Sequence, residues 1–268
     1  MIHICKACAA HYPDSTQPPD QCIICEDERQ YIPQSGQAWV TLNALQRDHT
    51  NSLTDEEPNL KSVGVTPGFA IGQRALLVQT DQGNVLWDCV PLIDQATIAA
   101  INALGGIQAI ALSHPHFYSG IADWSRAFGD VPIYLHAADR QWVTRGYHSI
   151  KFWEGERLQL LDGVTIIHCG GHFAGSSVLH WRDGADGKGA LLTGDTIYPV
   201  SNKQHVTFLY SYPNLLPLSS RKVAQIVTRL DGVAFERLYA AWQGTMLRQD
   251  ARQIVLASAE TYLYQLTL

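Results

Sequence analysis

Charged residues are scarce in this chain, and long hydrophobic runs are missing. Asp, Glu, Lys and Arg make up 16% of the 268 residues, whereas a globular protein usually has about 25%. Hydrophobic residues account for 46%, which excludes a disordered chain, because disorder combines low hydrophobicity with high charge. No apolar run approaches the roughly 18 residues that are needed to cross a bilayer. We therefore expect a globular protein without a membrane partner.

An excess of basic residues is also absent. The 19 Lys and Arg residues are outnumbered by 25 Asp and Glu residues, which gives a net charge of −6. A protein that binds nucleic acid usually carries a basic patch, so we expect no nucleic-acid partner. The first six residues, MIHICK, lack the charged and then apolar order of a signal peptide, which predicts a cytoplasmic protein. The sequence indicates no oligomeric state.

Cysteine is concentrated at the N-terminus. Two CxxC pairs, Cys5 with Cys8 and Cys22 with Cys25, are separated by 13 residues. Two such pairs can bind one tetrahedral metal ion, and a unit too small for its own core needs such a link. Bound zinc can contribute on the order of 10 kcal/mol to the folding of such a unit. The spacing therefore predicts a structural zinc ribbon over residues 1–36.

Two other interpretations of these cysteines are weaker. A pair of disulfides is disfavoured because disulfides are rare in the cytoplasm. An iron centre of the rubredoxin type is disfavoured because Ala9 and Glu26 stand where its knuckles usually have glycine. Zinc is therefore the metal that we expect in the ribbon.

The rest of the chain is predicted to be a connection followed by one α/β domain. We expect a connecting segment over residues 37–61, with one short helix at 37–46. From residue 62 to residue 268, predicted strands and helices alternate, which is typical of an α/β fold. Strands are predicted at residues 69–79, 85–89, 107–112, 131–135, 164–168, 177–181 and 190–193. Helices are predicted at residues 95–104, 121–128, 219–230 and 247–264.

Candidate metal ligands follow three of the predicted strands. His114 and His116 lie in the loop after the strand at 107–112. His172 lies in a glycine-rich turn after the strand at 164–168, and Asp195 follows the strand at 190–193. Imidazole and carboxylate groups are common ligands of zinc, iron and manganese. Together these residues predict one metal site in the domain.

These motifs resemble those of the metallo-β-lactamase fold superfamily over about residues 62–265. The HxH, Gly-His and Gly-Asp motifs match in order and spacing, and Asp88 matches the strand-end Asp that supports the site in the family. The motif residues are His114, His116, His172 and Asp195. The resemblance implies an αββα sandwich with the metal at one edge of two sheets.

The chain departs from the family at the second metal site. Tyr118 and Ser119 stand where the family has the Asp and His of HxHxDH, and Gln243 stands at the position of its last His. The second site therefore lacks its ligands, and we expect one metal ion in the domain. The ion is predicted to be zinc, with iron and manganese as alternatives.

The resemblance implies hydrolysis of a small-molecule substrate. A zinc-bound water has a pKa of about 7, so attack on an ester, lactone, thioester or similar bond is the expected reaction. Asp195 is predicted to orient that water or to complete the coordination, and Tyr118 to donate a proton to the leaving group. One alternative is a mononuclear non-haem iron oxygenase resembling the persulfide dioxygenases. Another is a catalytically reduced binding protein whose ribbon docks a partner.

Three further residues are candidates for the substrate pocket. His205 lies in a predicted loop, His136 follows a predicted strand, and Lys203 is the nearest basic residue for an anionic substrate group.

Overall fold

The chain forms two compact units in a computed structural model that describes residues 1–267. The first unit contains Met1–Leu135 and Arg140–Phe152, and the second contains His136–Asp139 and the chain from Trp153 onward. Within the described part of the chain, no helix is long and apolar enough to span a membrane.

The first unit contains a two-stranded sheet and a seven-stranded sheet. Its strands are β1 (His3–Cys5), β2 (Trp39–Thr41), β3 (Thr50–Glu57), β4 (Leu60–Thr66), β5 (Ala75–Thr80), β6 (Gly83–Trp87), β7 (Ala109–Ala111), β8 (Ile133–His136) and β9 (Ile150–Trp153). Its helices are α1 (Ile23–Glu26), α2 (Leu42–Asp48), α3 (Gln95–Ala103) and α4 (Ile121–Ala127). Short 3-10 helices cover Pro115–Phe117 and Ala137–Trp142.

The seven-stranded sheet has the order β3-β4-β5-β6-β7-β8-β9. Strand β6 is parallel to β7, and β7 is parallel to β8, whereas β3 to β6 pair antiparallel. The carboxyl ends of β6 and β7 therefore lie at the same edge of the sheet. Asp88 follows β6 and Ser113 follows β7, so this edge brings the two residues together.

Local sequence signals explain several of these elements. The Asp94 side chain caps α3 by accepting a hydrogen bond of 2.7 Å from the Thr97 backbone N–H, a role for which aspartate is strongly preferred. Thr80 pairs with Gly83 across the tight turn between β5 and β6. Gly120, the residue before α4, has a φ of +70°, and a Cβ there would lie 2.6 Å from the Val90 carbonyl oxygen. Only glycine fits this position without a backbone shift.

The predicted connecting segment, 37–61, contains β2, α2, all of β3 and the first two residues of β4. Strand β2 pairs antiparallel with β1, so residues 39–41 are extended and the predicted helix at 37–46 starts later. The Thr41 side chain then caps α2 by accepting a hydrogen bond from the Ala44 backbone N–H. The boundaries predicted for the ribbon, the connecting segment and the domain stay a prediction.

The second unit contains a six-stranded sheet and two long helices. Its strands are β10 (Arg157–Leu161), β11 (Val164–His168), β12 (Ser177–Trp181), β13 (Ala190–Gly194), β14 (Tyr198–Pro199), β15 (Val206–Thr207), β16 (Leu209–Ser211), β17 (Leu216–Pro217), β18 (Arg237–Ala240) and β19 (Met246–Leu247). Its helices are α5 (Gly184–Gly187), α6 (Ser220–Arg229) and α7 (Ala251–Gln265).

The six-stranded sheet has the order β10-β11-β12-β13-β18-β19. Strand β18 runs parallel to β13, and the other pairs are antiparallel. Val223 and Ile226 of α6 and Val255 of α7 belong to one apolar cluster with buried side chains of this sheet. The burial of this cluster provides the rigid base from which the loops after β11 and β13 emerge.

Candidate metal centres

The four N-terminal cysteines converge on one point in the first unit. All four are buried, and their sulfur atoms all lie within 4.8 Å of one another. The Cys5 and Cys25 sulfurs are 3.6 Å apart, and the Cys8 and Cys22 sulfurs are 3.5 Å apart. Four sulfurs arranged tetrahedrally at about 2.3 Å from a zinc ion are separated by about 3.8 Å. The cluster therefore fits a tetrahedral metal ion, and these separations exclude disulfide bonds, which need about 2.05 Å.

The ribbon packs on the rest of the first unit. Trp142 packs against the cysteine cluster, and the Arg29 guanidinium lies over its ring, 5.3 Å from the centroid. The Thr144 hydroxyl donates a hydrogen bond of 2.7 Å to the His11 carbonyl oxygen. One face of the ribbon therefore contacts its own chain, which reduces the ribbon surface that a partner protein could bind.

The HxH motif lies in the loop after β7, where hydrogen bonds fix its first imidazole. His114 and His116 are both buried, and their ring centroids are 5.1 Å apart. The Ser113 hydroxyl lies 2.9 Å from His114 Nδ1, and the Ser113 backbone N–H donates a hydrogen bond of 2.7 Å to Asp88 Oδ1. Such contacts behind a ligand set the orientation of its ring. Asp88 thus has the geometry of a positioning residue.

Burial keeps the first imidazole neutral. Desolvation, with a smaller contribution from the Arg29 charge, lowers the pKa of His114 to about 3. The neutral ring is the form that binds metal ions, so His114 is ready to act as a ligand at neutral pH.

The second unit holds the other two predicted ligands. His172 Nε2 lies 3.7 Å from Asp195 Oδ2, and both side chains are buried. His172 Nδ1 donates a hydrogen bond of 3.2 Å to the Leu209 carbonyl oxygen, so in the neutral ring Nε2 is the unprotonated nitrogen. Two donor atoms on one zinc ion, each at about 2.0–2.2 Å, are at most about 4.3 Å apart. The pair therefore fits one metal ion.

A network of hydrogen bonds holds the glycine-rich turn that carries His172. The Phe173 backbone N–H donates to the Ser176 hydroxyl at 2.7 Å. The Gly175 backbone N–H donates to Asp139 Oδ1 at 2.8 Å, and the Gln225 side-chain amide donates to the Cys169 carbonyl oxygen at 2.9 Å. These contacts fix the backbone on both sides of the candidate ligand His172.

The residues that replace the family's second-site ligands have separate roles. Ser119 is buried and accepts a hydrogen bond of 3.1 Å from the Gln73 side-chain amide. Tyr118 is buried, with 7% of its surface exposed. Gln243 is exposed. In the described structure these positions present an alcohol, a phenol and an exposed amide, none of which neutralises a second metal ion.

The three candidate pocket residues lie in separate places of the second unit. His205 lines a cavity of about 320 Å³ together with Ser258 and Tyr262 of α7. Lys203 Nζ donates a hydrogen bond of 2.8 Å to the Gly244 carbonyl oxygen. His136 stacks on His168, with ring centroids 3.8 Å apart. A role of these residues in substrate binding stays a prediction.

Sequence reasoning missed Tyr212. Its hydroxyl donates a hydrogen bond of 2.5 Å to the backbone carbonyl oxygen of Asp195. Its ring lies edge-on to the His172 ring, with centroids 5.6 Å apart. The residue comes from the hairpin after β16 and carries no recognisable motif, so only the folded chain reveals its place beside the two candidate ligands.

Comparison with known proteins shows the family. The family model described as "Metallo-beta-lactamase superfamily" matches residues 70–231. The chain belongs to this superfamily and has its metal-dependent hydrolase-like fold. It is also 47% identical over 263 residues to "Uncharacterized protein YmaE" of Bacillus subtilis (strain 168), an alignment that covers 97% of this chain and 95% of YmaE.

Solved structures show the same fold at low sequence identity. The DIM-1 metallo-beta-lactamase is 13% identical with a TM-score of 0.58, and the match covers 80% of this chain and 98% of that one. The mono-zinc form of FIM-1 from Pseudomonas aeruginosa is 15% identical with a TM-score of 0.56, covering 82% and 99%. The di-iron form of TTHA1623 is 24% identical with a TM-score of 0.52, covering 71% and 96%.

The comparisons and the two sheets confirm the predicted fold class, a mixed α/β fold of the metallo-β-lactamase type preceded by a unit with four clustered cysteines. The chain also carries two sets of residues of the kind that bind metal ions: Cys5, Cys8, Cys22 and Cys25, and His114, His116, His172 and Asp195.

Proposed function

We propose that this protein is a metallohydrolase that uses one metal ion held by His114, His116, His172 and Asp195. One observation carries the proposal: all four are buried polar residues, and each offers one atom that can bind a metal. Buried polar groups are costly unless they are paired, and membership of the superfamily supplies the reason for burying them. The zinc assigned to the ribbon is a second and purely structural ion.

A single ion in the domain agrees with the residues at the second site. Ser119 accepts a hydrogen bond from Gln73, and Gln243 faces solvent. A second divalent ion needs anionic or imidazole ligands, and neither residue supplies one. We propose zinc in this site, with iron and manganese compatible with the same donors.

The proposed reaction is the hydrolysis of an ester, lactone or thioester. A bound zinc ion supplies a water of pKa about 7. Asp195 would orient that water with its carboxylate, and the water would release one proton to solvent as its oxygen bonds to the carbonyl carbon. Tyr118 would donate its phenolic proton to the oxygen or sulfur whose bond to the carbonyl carbon breaks, and would regain a proton from solvent.

The proposed substrate is a small molecule, and the proposed location is the cytoplasm. The net charge of −6 favours no nucleic-acid partner. Among the described residues, the six cysteines form no disulfide, which agrees with a reducing compartment.

Metal content and hydrolysis, measured together, test the proposal. Wild type and a His114→Ala/His172→Ala double variant are purified without added metal, and metal per chain is measured by elemental analysis. We expect about two ions in wild type and about one in the variant, because the four-cysteine site is intact. An ester, a thioester and a lactone are then offered, and the variant should hydrolyse them only at the background rate. His148→Ala is the matched control, because His148 is exposed and belongs to neither set of ligands.

Three outcomes contradict the proposal. Loss of iron, with oxygen consumption in the presence of thiol substrates, identifies the oxygenase alternative. Wild type that holds only the ribbon ion and takes up no added zinc or iron identifies a protein without a catalytic centre. Equal turnover in wild type and the double variant shows that the four residues do not carry the reaction.

A further inference from the structure

Three aromatic side chains lie beside the His172–Asp195 pair in the second unit. The Tyr212 ring is edge-on to the His172 ring, with centroids 5.6 Å apart. Tyr198 makes T-shaped contacts with Tyr212 at 5.2 Å and with Trp242 at 5.7 Å. The Tyr212 and Trp242 centroids are 6.1 Å apart. The three rings, which we call the aromatic wall, are thus in mutual contact.

The aromatic wall is attached to the candidate ligand by a hydrogen bond. Tyr212 donates its hydroxyl proton to the Asp195 carbonyl oxygen. Tyrosine ordinarily loses its proton only at about pH 10, and the tryptophan ring does not titrate. The three rings therefore carry no charge at neutral pH.

The rings of the wall are less buried than those of the cores. Tyr198, Tyr212 and Trp242 are all partly exposed, whereas the large rings Trp87 and Trp124 are almost fully buried. Packing alone explains the buried rings. Partly exposed rings beside a set of metal ligands keep apolar surface available to a ligand, and aromatic surface of this kind lines many small-molecule sites.

We propose that Tyr198, Tyr212 and Trp242 bind an aromatic or flat apolar group of the substrate next to the scissile carbonyl. This inference rests on the proposed function, and it narrows the substrate to an ester, thioester or lactone that carries such a group. Ring-to-ring contacts favour offset or edge-on packing of a flat partner. The aromatic wall itself offers no charge that could bind a charged group of the substrate.

Ligand binding tests the inference without using turnover. Isothermal titration calorimetry measures the affinity of the metal-loaded, full-length protein for phenylacetate, a product-like probe, and for acetate, which lacks the ring. We expect Trp242→Ala to weaken phenylacetate binding roughly tenfold, which corresponds to about 1.4 kcal/mol and lies within the range of aromatic contacts. Acetate affinity should stay the same. Tyr264→Ala is the control, because Tyr264 is a largely exposed ring of α7.

Equal phenylacetate affinity in wild type and Trp242→Ala overturns the inference, and so does wild type that binds phenylacetate no more tightly than acetate. A variant with lower thermal stability but unchanged phenylacetate affinity shows that the rings only pack together. If Trp242→Ala does not fold, Tyr198→Leu provides the same comparison. Ring-dependent binding without any hydrolysis would contradict the proposed reaction and leave the aromatic wall supported. Hydrolysis together with binding that does not depend on the rings would support the proposed reaction and contradict the role of the aromatic wall.

Discussion

Asp88 and Ser113 are joined by a hydrogen bond that links the ends of two neighbouring parallel strands. The Ser113 backbone N–H donates to Asp88 Oδ1 at 2.7 Å, and both residues are buried. The next residue, His114, has its Nδ1 2.9 Å from the Ser113 hydroxyl. Through Ser113, the Asp88 carboxylate therefore helps to set the position of the candidate ligand His114.

Replacing Asp88 should weaken metal binding in the domain. Asp88→Ala removes the acceptor and places alanine at a φ of +62°, and loss of such a supporting contact costs about 10–100-fold in affinity. Asp88→Asn keeps an acceptor oxygen and tolerates this backbone conformation, so its loss should be smaller. A zinc titration against a competing chelator measures both. Equal affinities in wild type and Asp88→Ala would show that Asp88 does not position the loop.

Loss of the ribbon ion should unfold the ribbon. Cys8→Ser removes one of four sulfurs, and the ligands cannot hold the turns together without the ion. We expect about one ion less per chain and rapid hydrogen exchange at the β1 and β2 amides. Cys169→Ala is the control, because Cys169 lies in the apolar core of the second unit. Unchanged exchange in Cys8→Ser would contradict a structural role for the metal.

The buried ion pair in the first sheet should be sensitive to the loss of one partner. Arg74 Nη1 and Glu56 Oε1 are 2.6 Å apart, and the two side chains are 1% and 4% exposed. Arg74→Met leaves a buried carboxylate without this partner, so the free energy of unfolding should fall by about 3–5 kcal/mol. The double variant Arg74→Met/Glu56→Met should recover most of the lost free energy of unfolding. Urea unfolding measures both values.

An exposed ion pair in the same sheet provides the comparison. Lys61 and Asp55 form an ion pair in which Asp55 is 78% exposed. Asp55→Ala should change the free energy of unfolding by at most about 1 kcal/mol, because water and salt screen exposed pairs. If the two substitutions cost the same, burial is not the cause of the Arg74 effect.

The stacked pair His136 and His168 should make stability depend on pH. Burial lowers the pKa of both rings below the ordinary value of 6.5. The unfolded chain therefore binds more protons than the folded chain as the pH falls below about 6.5, and stability is lost over that range. Above it both states are neutral, and the full contribution is present.

His168→Gln isolates this contribution. The difference in unfolding free energy between wild type and variant should shrink as the pH falls from 8 to 5. Only the wild type contains His168, whose protonation in the unfolded chain favours unfolding at low pH. Urea unfolding at several pH values measures the difference. His148→Gln is the control, since His148 is 67% exposed. A difference that is constant with pH would contradict the prediction.

The sequence predicted the elements and residues that have strong local signals. Strands β11 and β12 have the bounds predicted for them, and α3 begins at residue 95 as predicted. The residues of HxH and of the Gly-His turn are distinctive because they follow buried strands directly. These signals are local, so no knowledge of the tertiary structure was needed to find them.

Other features depend on contacts between distant residues. Strand β3 is rich in polar residues and reads as a connection, yet it pairs with β4 along its length. Tyr212 meets Asp195 only through the path of the hairpin after β16. Lys203 and His205 follow Asp195 closely in sequence, but sequence separation alone could not show that His205 lines a cavity against α7.

Gly120, in the loop between β7 and α4, is required by the backbone conformation and not by the proposed chemistry. Its φ of +70° and its approach to the Val90 carbonyl oxygen leave no room for a side chain. In a library randomised at this position and screened only for expression of folded protein, glycine should dominate the survivors. The same screen at the other loop positions would identify the residues that folding requires. Residues that tolerate substitution in this screen would then be the candidates for a role in turnover, before any substrate is known.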